Sequence, residues 1–198
     1  MSVLRSIGLL GGAFNPPHAG HVQISKDALA RLGLDEIWWL VADDHPTKTR
    51  ITMPPLSDRM AACEKITAQH PQIQPTDIEH QEGTRYTFDT VRALQRIYPQ
   101  HRFIWLMGAD NLVHLHTWHE WESLLGRLPF AIFHREPWRE EALTSKAAKA
   151  FANARVAERD AKALAACRPP AWCYLEISPH PASSSSLRAE GKTLGGER

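Results

Sequence analysis

Short apolar runs alternate along this chain with longer stretches in which apolar residues recur every three or four positions. The runs are rich in β-branched, leucine and aromatic residues, which is typical of strands buried on both faces of a sheet. They fall at residues 4–10, 37–42, 73–78, 101–107, 130–133 and 172–177. The amphipathic stretches between them predict helices, at 19–32, from about 57, and from about 87 to 98. Regular alternation of strand and helix predicts a doubly wound parallel sheet of the α/β class.

Residues with possible chemistry follow the predicted strands. In a doubly wound sheet, ligands bind at the carboxyl ends of the strands, where the winding reverses. The residues found there are His18 and His21, Lys48, Tyr86 and Thr87, Asp110, and Arg188. Because the carboxyl ends of parallel strands share one edge of the sheet, the sequence predicts a single ligand site at that edge.

The turn after the first strand is the most informative stretch. Gly11 and Gly12 end the strand, two prolines follow, and a helical pattern begins near His18. Glycine lets the backbone come close to a ligand, and the N–H groups of a first helical turn favour an anion, so the turn predicts a phosphate site. His18 and His21 lie on one side of that turn and could donate hydrogen bonds to one phosphate chain. The alternative is that they cap the helix or pack within the turn.

Length and composition narrow the class of protein. The chain has 198 residues and a net charge of +1, which gives no indication of a nucleic-acid or membrane surface. We expect one domain over residues 1–198, with 189–198 as a frayed tail. The amino terminus leaves no room for a signal peptide, and three cysteines suit a reducing compartment, so we expect a cytoplasmic protein. The alanine-rich stretch 136–168 predicts a helical pair packed on the sheet edge.

Four motifs, in order, carry a resemblance to a known family. They are Gly11-Gly12-x-Phe14-Asn15-Pro16-Pro17-His18-x-Gly20-His21, Arg85-Tyr86-Thr87-x-Asp89-Thr90, Gly108-Ala109-Asp110-Asn111 with Thr117-Trp118, and Ser183-Ser184-Ser185-x-Leu187-Arg188. Together they resemble the nucleotidylyltransferase superfamily with an HxGH motif and, more narrowly, the bacterial nicotinate-nucleotide adenylyltransferases. Two positions depart from the usual pattern: Asn15 stands where many members have Asp, and Ser185 where Thr is usual. The loop 43–48 is also not the commonest form.

The resemblance implies a Rossmann-like doubly wound fold of nucleotidylyltransferase type and an adenylyl transfer. A phosphate oxygen of nicotinate mononucleotide would attack the α-phosphorus of ATP, giving deamido-NAD and pyrophosphate in one in-line step of NAD biosynthesis. This nucleophile is already anionic and needs no general base, so catalysis would rest on positioning and electrostatic stabilisation. Mg²⁺ would accompany ATP, and no resident metal site is expected. The implied partners are ATP and nicotinate mononucleotide, without nucleic acid or membrane.

The same resemblance suggests a role for each motif residue on the ATP side. His18, His21 and Arg188 would be catalytic. Backbone or side-chain contacts with ATP would come from Gly11, Gly12, Phe14, Gly20, Lys48, Gly108, Asp110, Ser184 and Ser185. Each has a plainer alternative: ordinary turn glycines, a solvated loop lysine, a helix N-cap at Asp110, and a disordered serine-rich tail.

On the acceptor side, Asn15, Tyr86, Thr87 and Trp118 would bind the mononucleotide. Backbone N–H groups of Tyr86 and Thr87 would hold the nicotinate carboxylate, and Trp118 would stack on the pyridine ring, unless it simply packs in the core. Two other functions stay open from the sequence. One is an adenylyltransferase that prefers nicotinamide mononucleotide or another phosphate acceptor such as phosphopantetheine. The other is a nucleotide-binding sensor without turnover.

Overall fold

The computed structural model describes residues 4–43 and 53–177. The predicted site residues Lys48, Ser184, Ser185 and Arg188 lie outside the described residues, as does the tail 189–198. Within the described ranges, no helix is long and apolar enough to cross a membrane.

One parallel sheet of seven strands forms the centre of the molecule, in the order β3-β2-β1-β4-β5-β7-β6. The strands are β1 Ser6–Gly12, β2 Glu36–Val41, β3 Ile73–Thr76, β4 Arg102–Gly108, β5 Phe130–Phe133, β6 Arg155–Val156 and β7 Trp172–Leu175. The α-helices are α1 Ala19–Leu32, α2 Leu56–Thr67, α3 Ile78–Glu82, α4 Thr87–Ile97, α5 Ala109–His114, α6 Trp121–Leu125, α7 Arg139–Leu143 and α8 Lys146–Ala150. Short 3₁₀ helices follow α5 and α8 and precede β7. The predicted doubly wound parallel fold is confirmed.

The winding reverses between β1 and β4, which lie side by side although α1 to α4 separate them in the chain. Side chains of β1 alternate between the two faces. Ile7 and Leu9 join the core beneath α4 and α5, whereas Leu10 joins the core beneath α1 and α2. A crevice therefore opens at the carboxyl end of β1 onto both faces, which is the usual ligand position in this fold.

Helix α1 has the predicted bounds because its sequence carries a helical period of apolar residues and a stop signal. Val22, Ala28 and Leu32 are buried along one face. Gly33 then adopts the left-handed conformation (φ 63°), and its N–H donates to the carbonyl of Leu29, which closes the helix.

Two predicted segments are corrected by the structure. Ile78 does not end a strand: it begins α3, and its buried side chain explains why it looked continuous with the apolar run of β3. The expected loop at 79–85 therefore contains a helical turn, which ends at Gly83 in the left-handed conformation (φ 62°).

The stretch 136–168 contains more than the predicted helical pair, and its helices are short. It forms two five-residue helices, 3₁₀ turns and the edge strand β6, so the sheet has one more strand than predicted. Ala142, Ala147 and Ala148 are buried in the core, where small side chains allow the short helices to approach the sheet closely. A strand of two residues is too short to leave a period in the sequence. The last strand also ends earlier than predicted, at Leu175.

Candidate active site

His18 and His21 form a reciprocal cap at the start of α1. His18 is the N-cap residue, and its Nδ1 accepts a hydrogen bond from the N–H of Gly20 at 3.1 Å. The N–H of His18 donates in turn to Nδ1 of His21 at 3.2 Å, and the two ring centroids lie 3.8 Å apart. The structure thus shows the helix cap that was the alternative for these histidines. The same hydrogen bonds hold both imidazoles together at the carboxyl end of β1.

The cap determines which ring nitrogen carries the proton. Because each Nδ1 accepts a backbone N–H, the neutral form of each imidazole holds its hydrogen on Nε2. Burial, the neighbouring His18 and the charge of Arg135 lower the pKa of His21 to about 3. His21 is therefore neutral at physiological pH, and its Nε2–H is a hydrogen-bond donor and not a base.

A layer of aromatic rings supports His21 from the core. Phe14 is 2% exposed, stacks on Trp39 with centroids 4.8 Å apart, and lies 4.8 Å from the ring of His21. The indole N–H of Trp39 donates to Oγ of Ser25, which donates to the carbonyl of His21. The side chain of Phe14 thus supports the histidine from below, so any contact of Phe14 with ATP would come from its backbone. Asn15, the next residue, is also buried.

Asp110 lies in the first turn of α5, which follows β4 directly. Its Oδ2 accepts from Nη1 of Arg135 at 3.1 Å, while its buried Oδ1 has no hydrogen-bond partner among the described residues. Gly108, and not Asp110, is the N-cap residue of α5, and a Cβ atom at Gly108 would overlap Oδ1 of Asp110. The turn therefore needs glycine so that the carboxylate can fold back, and Oδ1 remains available to a ligand hydroxyl.

Arg135 was missed by the sequence reasoning. It lies two residues beyond the end of β5, its guanidinium pairs with Asp110, and its charge contributes to the lowered pKa of His21. The rule that singled out the other residues, a polar side chain just after a strand, applies to it as well. On the β5 side of the site, Arg135 is the cationic residue among those that the structure describes.

Tyr86 and Trp118 converge on the opposite face of the sheet. Tyr86 is the N-cap residue of α4, and its exposed ring lies 4.6 Å from that of His119. Trp118 is half-buried and meets Trp105 edge-on, with centroids 6.3 Å apart and planes at 90°. Thr87 begins α4, so its N–H belongs to the first helical turn, as the predicted carboxylate contact requires.

A polar network lies beneath that turn. The hydroxyl of Thr90 lies 3.2 Å from the carbonyl of Tyr86, 2.9 Å from the hydroxyl of Thr84 and 3.3 Å from Oε1 of Glu79. Burial raises the pKa of Glu79 to about 7. The sequence pattern does not identify Glu79, because it predicts a loop where helix α3 lies.

The histidines near α5 do not form a metal site. His116 contacts the carbonyl of Val113, His114 packs near Trp138, and His119 packs against Tyr86. Within the ranges that the structure describes, no group of three or more His, Cys, Asp or Glu side chains could hold a metal ion.

Three glycines among the predicted site residues have structural contacts of their own. The N–H of Gly20 is engaged by His18. A Cβ atom at Gly11 would lie 2.9 Å from Cη2 of Trp105, so this glycine makes room for the indole; at Gly12 it would lie 3.3 Å from the ring of Phe14.

A parallel sheet whose winding reverses beside a capped histidine pair is the architecture of a nucleotide-binding α/β protein. The model of the cytidylyltransferase-like family matches residues 9–190. A protein of Cereibacter sphaeroides named "Probable nicotinate-nucleotide adenylyltransferase" is 46% identical over 94% of this chain and 98% of its own length. One of the same name from a Bradyrhizobium species is 46% identical over 92% and 94%. The chain belongs to the nicotinate-nucleotide adenylyltransferase family.

A solved structure extends the comparison at the level of the fold. Nicotinic acid mononucleotide adenylyltransferase of Plasmodium falciparum, complexed with NaAD, superposes with a TM-score of 0.70. The match covers 93% of this chain and 83% of that one, at 18% identity. At that identity the likeness concerns the fold.

Proposed function

We propose that this protein transfers the adenylyl group of ATP to nicotinate mononucleotide, forming deamido-NAD and releasing pyrophosphate. The observation that carries the proposal is the His18–His21 pair, whose imidazoles lie together at the carboxyl end of β1 with both Nδ1 atoms engaged by the backbone. The names of its relatives in Cereibacter sphaeroides and Bradyrhizobium support the same acceptor.

The chemistry suits neutral donors. A phosphate oxygen of the acceptor forms a bond to the α-phosphorus of ATP, and the bond to the bridging oxygen breaks, with the electron pair leaving on pyrophosphate. The attacking oxygen is already anionic, so no base is required. The barrier comes from repulsion between like charges and from charge growing on the leaving group, which preorganised N–H donors and cations stabilise. A neutral His21 and the adjacent Arg135 supply such groups.

Asp110 suits the sugar of ATP. A buried carboxylate oxygen without a partner among the described residues accepts hydrogen bonds only, and a ribose hydroxyl can donate one. The pairing of Oδ2 with Arg135 orients this carboxylate next to the proposed phosphate-binding pair.

ATP would enter as its magnesium complex, with Mg²⁺ bound to the triphosphate, as is usual for an ion that keeps most of its water and few protein ligands. Arg188, with Ser184 and Ser185, would hold the β- and γ-phosphates, and Lys48 would lie over the triphosphate. The resemblance of the carboxyl-terminal motif supports the roles of Ser184, Ser185 and Arg188, and the position of Lys48 in the loop after β2 supports its own.

The acceptor would lie on the face of Tyr86 and Trp118. The first-turn N–H groups of α4 favour a carboxylate, and Trp118 offers an aromatic face to the pyridine ring. We also propose a cytoplasmic location, since none of the three cysteines forms a disulfide.

One assay tests the proposal. Purified protein receives ATP and Mg²⁺ with nicotinate mononucleotide, nicotinamide mononucleotide or phosphopantetheine, and pyrophosphate release is followed. We expect release with nicotinate mononucleotide, at a kcat/KM above that for the other two. Equal or greater release with nicotinamide mononucleotide would contradict the nicotinate preference. ATP binding without release from any acceptor would indicate a sensor.

A further inference from the structure

Trp105 carries a buried hydrogen-bond donor that the site described so far does not use. It lies in β4, paired with Leu9 of β1 and Phe130 of β5, and is 3% exposed. Its indole N–H has no hydrogen-bond partner in the part of the chain that the structure describes. The N–H groups of Trp38, Trp39 and Trp172 all donate to protein oxygens. An unpaired buried N–H is costly, so the one at Trp105 calls for a physical reason.

The space around Gly11 shows that the ring of Trp105 reaches the edge of the sheet where the strands end and the ligand site lies. A Cβ atom at Gly11 would lie 2.9 Å from Cη2 and 3.0 Å from Cζ2 of Trp105, and only the ring-junction atom Cε2 separates Cζ2 from Nε1. Gly11 is exposed near the carboxyl end of β1 and shares a face of the strand with Ile7 and Leu9. The N–H thus lies close to the point where the crevice opens.

Trp118 borders the same ring from the other side. The two indole planes are at 90° with centroids 6.3 Å apart, so an edge of one ring faces the other. Under the proposed function, Trp118 stacks on the pyridine ring of the acceptor. Trp105 therefore lies next to both Gly11, near the end of β1, and Trp118, whose aromatic surface is offered to the pyridine ring.

We propose that Trp105 is a further substrate-binding residue whose Nε1–H donates a hydrogen bond to an oxygen of the bound mononucleotide acceptor. The inference rests on the proposed function. An indole N–H only donates, so its partner must be an acceptor atom: an oxygen of the ring substituent or a ribose oxygen. The donor is unpaired in the free protein and becomes paired when the acceptor binds.

The test uses the matched variants Trp105→Phe and Trp172→Phe. Both tryptophans are 3% exposed, but Trp172 already donates to the carbonyl of Phe151 at 2.8 Å. We expect Trp105→Phe to raise the KM for nicotinate mononucleotide roughly tenfold, the usual effect of one lost hydrogen bond, with the KM for ATP unchanged. Trp172→Phe should leave both KM values unchanged, although it loses a structural hydrogen bond.

A spectroscopic readout separates ligand contact from packing. In ¹⁵N-labelled protein, the indole resonance that disappears in Trp105→Phe belongs to Trp105. Adding nicotinate mononucleotide without ATP should move this resonance downfield and slow its exchange with water. If Trp105→Phe raises the KM for nicotinate mononucleotide alone, the partner is the carboxylate. If it raises the KM for nicotinamide mononucleotide equally, the partner is an oxygen that both acceptors offer, in the ribose or as the carbonyl of the ring substituent. Both results support the inference.

An unmoved Trp105 resonance at saturating acceptor, or equal KM values in Trp105→Phe and the unmodified protein, would overturn the inference. Failure of the proposed function has a different signature, because it removes pyrophosphate release from the unmodified protein. A resonance that moves without such release would uphold the contact at Trp105 and contradict the proposed reaction.

Discussion

The helix-capping contact of His18 and the phosphate contact proposed for it use different atoms of one side chain. Nδ1 caps the helix by accepting from Gly20, while Nε2 carries the hydrogen that a phosphate can accept. Because the tasks belong to different nitrogens, a substitution can remove one and keep the other.

Two substitutions of His18 should separate capping from catalysis. Asparagine is a favoured N-cap residue but lacks a donor at the position of Nε2, whereas alanine loses both functions. We expect His18→Asn and His18→Ala to lower kcat similarly, on the order of a hundredfold or more. Only His18→Ala should also lower the free energy of unfolding, by about 1 kcal/mol. Full activity in His18→Asn would refute the donor role.

Glu79 should make stability depend on pH. Its pKa is about 7 in the folded protein against 4.5 for the free side chain, chiefly because of burial. Between these values the folded state binds the extra proton, so the stability from this group is present below pH 4.5 and is lost as the pH rises through 7. Each pKa unit corresponds to about 1.4 kcal/mol.

Glu79→Gln resembles the protonated carboxyl and should lack this dependence. In urea unfolding, its stability relative to the unmodified protein should rise as the pH increases from 4.5 to 7. The exposed Glu64→Gln serves as the control. A difference between Glu79→Gln and the unmodified protein that stays constant with pH would contradict the raised pKa.

Local sequence sufficed to place the two histidines at the turn after β1, but it does not show the surroundings of Arg135, Arg59 or Glu79. The two histidines share one turn with the glycines and prolines that shape it, so the pattern lies within a single segment. The other three acquire their environments from residues far away in the chain: Arg135 meets Asp110, and Arg59 meets carbonyls of three loops. A charged residue read in isolation is expected on the surface.

At the scale of elements, the turn between β4 and α5 depends on Gly108. Alanine there would place a Cβ atom where Oδ1 of Asp110 lies, which must displace the carboxylate. We expect Gly108→Ala to raise the KM for ATP roughly tenfold, because about one hydrogen bond to the ligand is lost. Gly126→Ala is the control, since its nearest new contact would be an ordinary 3.4 Å and its φ is −74°. Equal ATP affinity in both variants would contradict the role of Asp110.

The elements that were predicted well are those that carry both a period and an end signal. Helix α1 has its buried stripe and the stop at Gly33, so its bounds agree with the prediction. Helix α3 and strand β6 have five and two residues, too few for a period to emerge. Their places are determined by packing against the rest of the sheet, which no single segment encodes.

At the scale of the whole molecule, Arg59 joins segments that are distant in the chain. It is 1% exposed, and its guanidinium donates to the carbonyls of Ala13, Asp43 and Pro54 at 3.0 to 3.1 Å. These carbonyls belong to the exits of β1 and β2 and to the approach to α2. The buried guanidinium of Arg59 thus donates hydrogen bonds to backbone carbonyls on the α1 and α2 side of the edge where the ligand site lies.

Arg59→Met should therefore be strongly destabilising. It keeps the apolar stem but removes the guanidinium donors from three part-buried carbonyl contacts, and we expect the free energy of unfolding to fall by about 3 kcal/mol. Arg92→Met, at a side chain 57% exposed, should change it by less than about 0.5 kcal/mol. Urea denaturation of both variants gives the comparison. A loss below about 1 kcal/mol in Arg59→Met would show that the carbonyls find other donors.

The order of the strands also has a consequence for synthesis. β1 lies between β2 and β4, and Ser6 pairs with Arg102. A ribosome that adds about 5–20 residues per second needs roughly 5 to 20 s to make the chain between β1 and β4, during which one edge of β1 has no neighbour. The histidine pair and its supports Phe14 and Trp39 lie within residues 14–39 and can assemble first. Asp110 and Arg135 join only after β4 and β5 emerge, so the histidine pair is in place before the carboxylate that is proposed to hold the sugar.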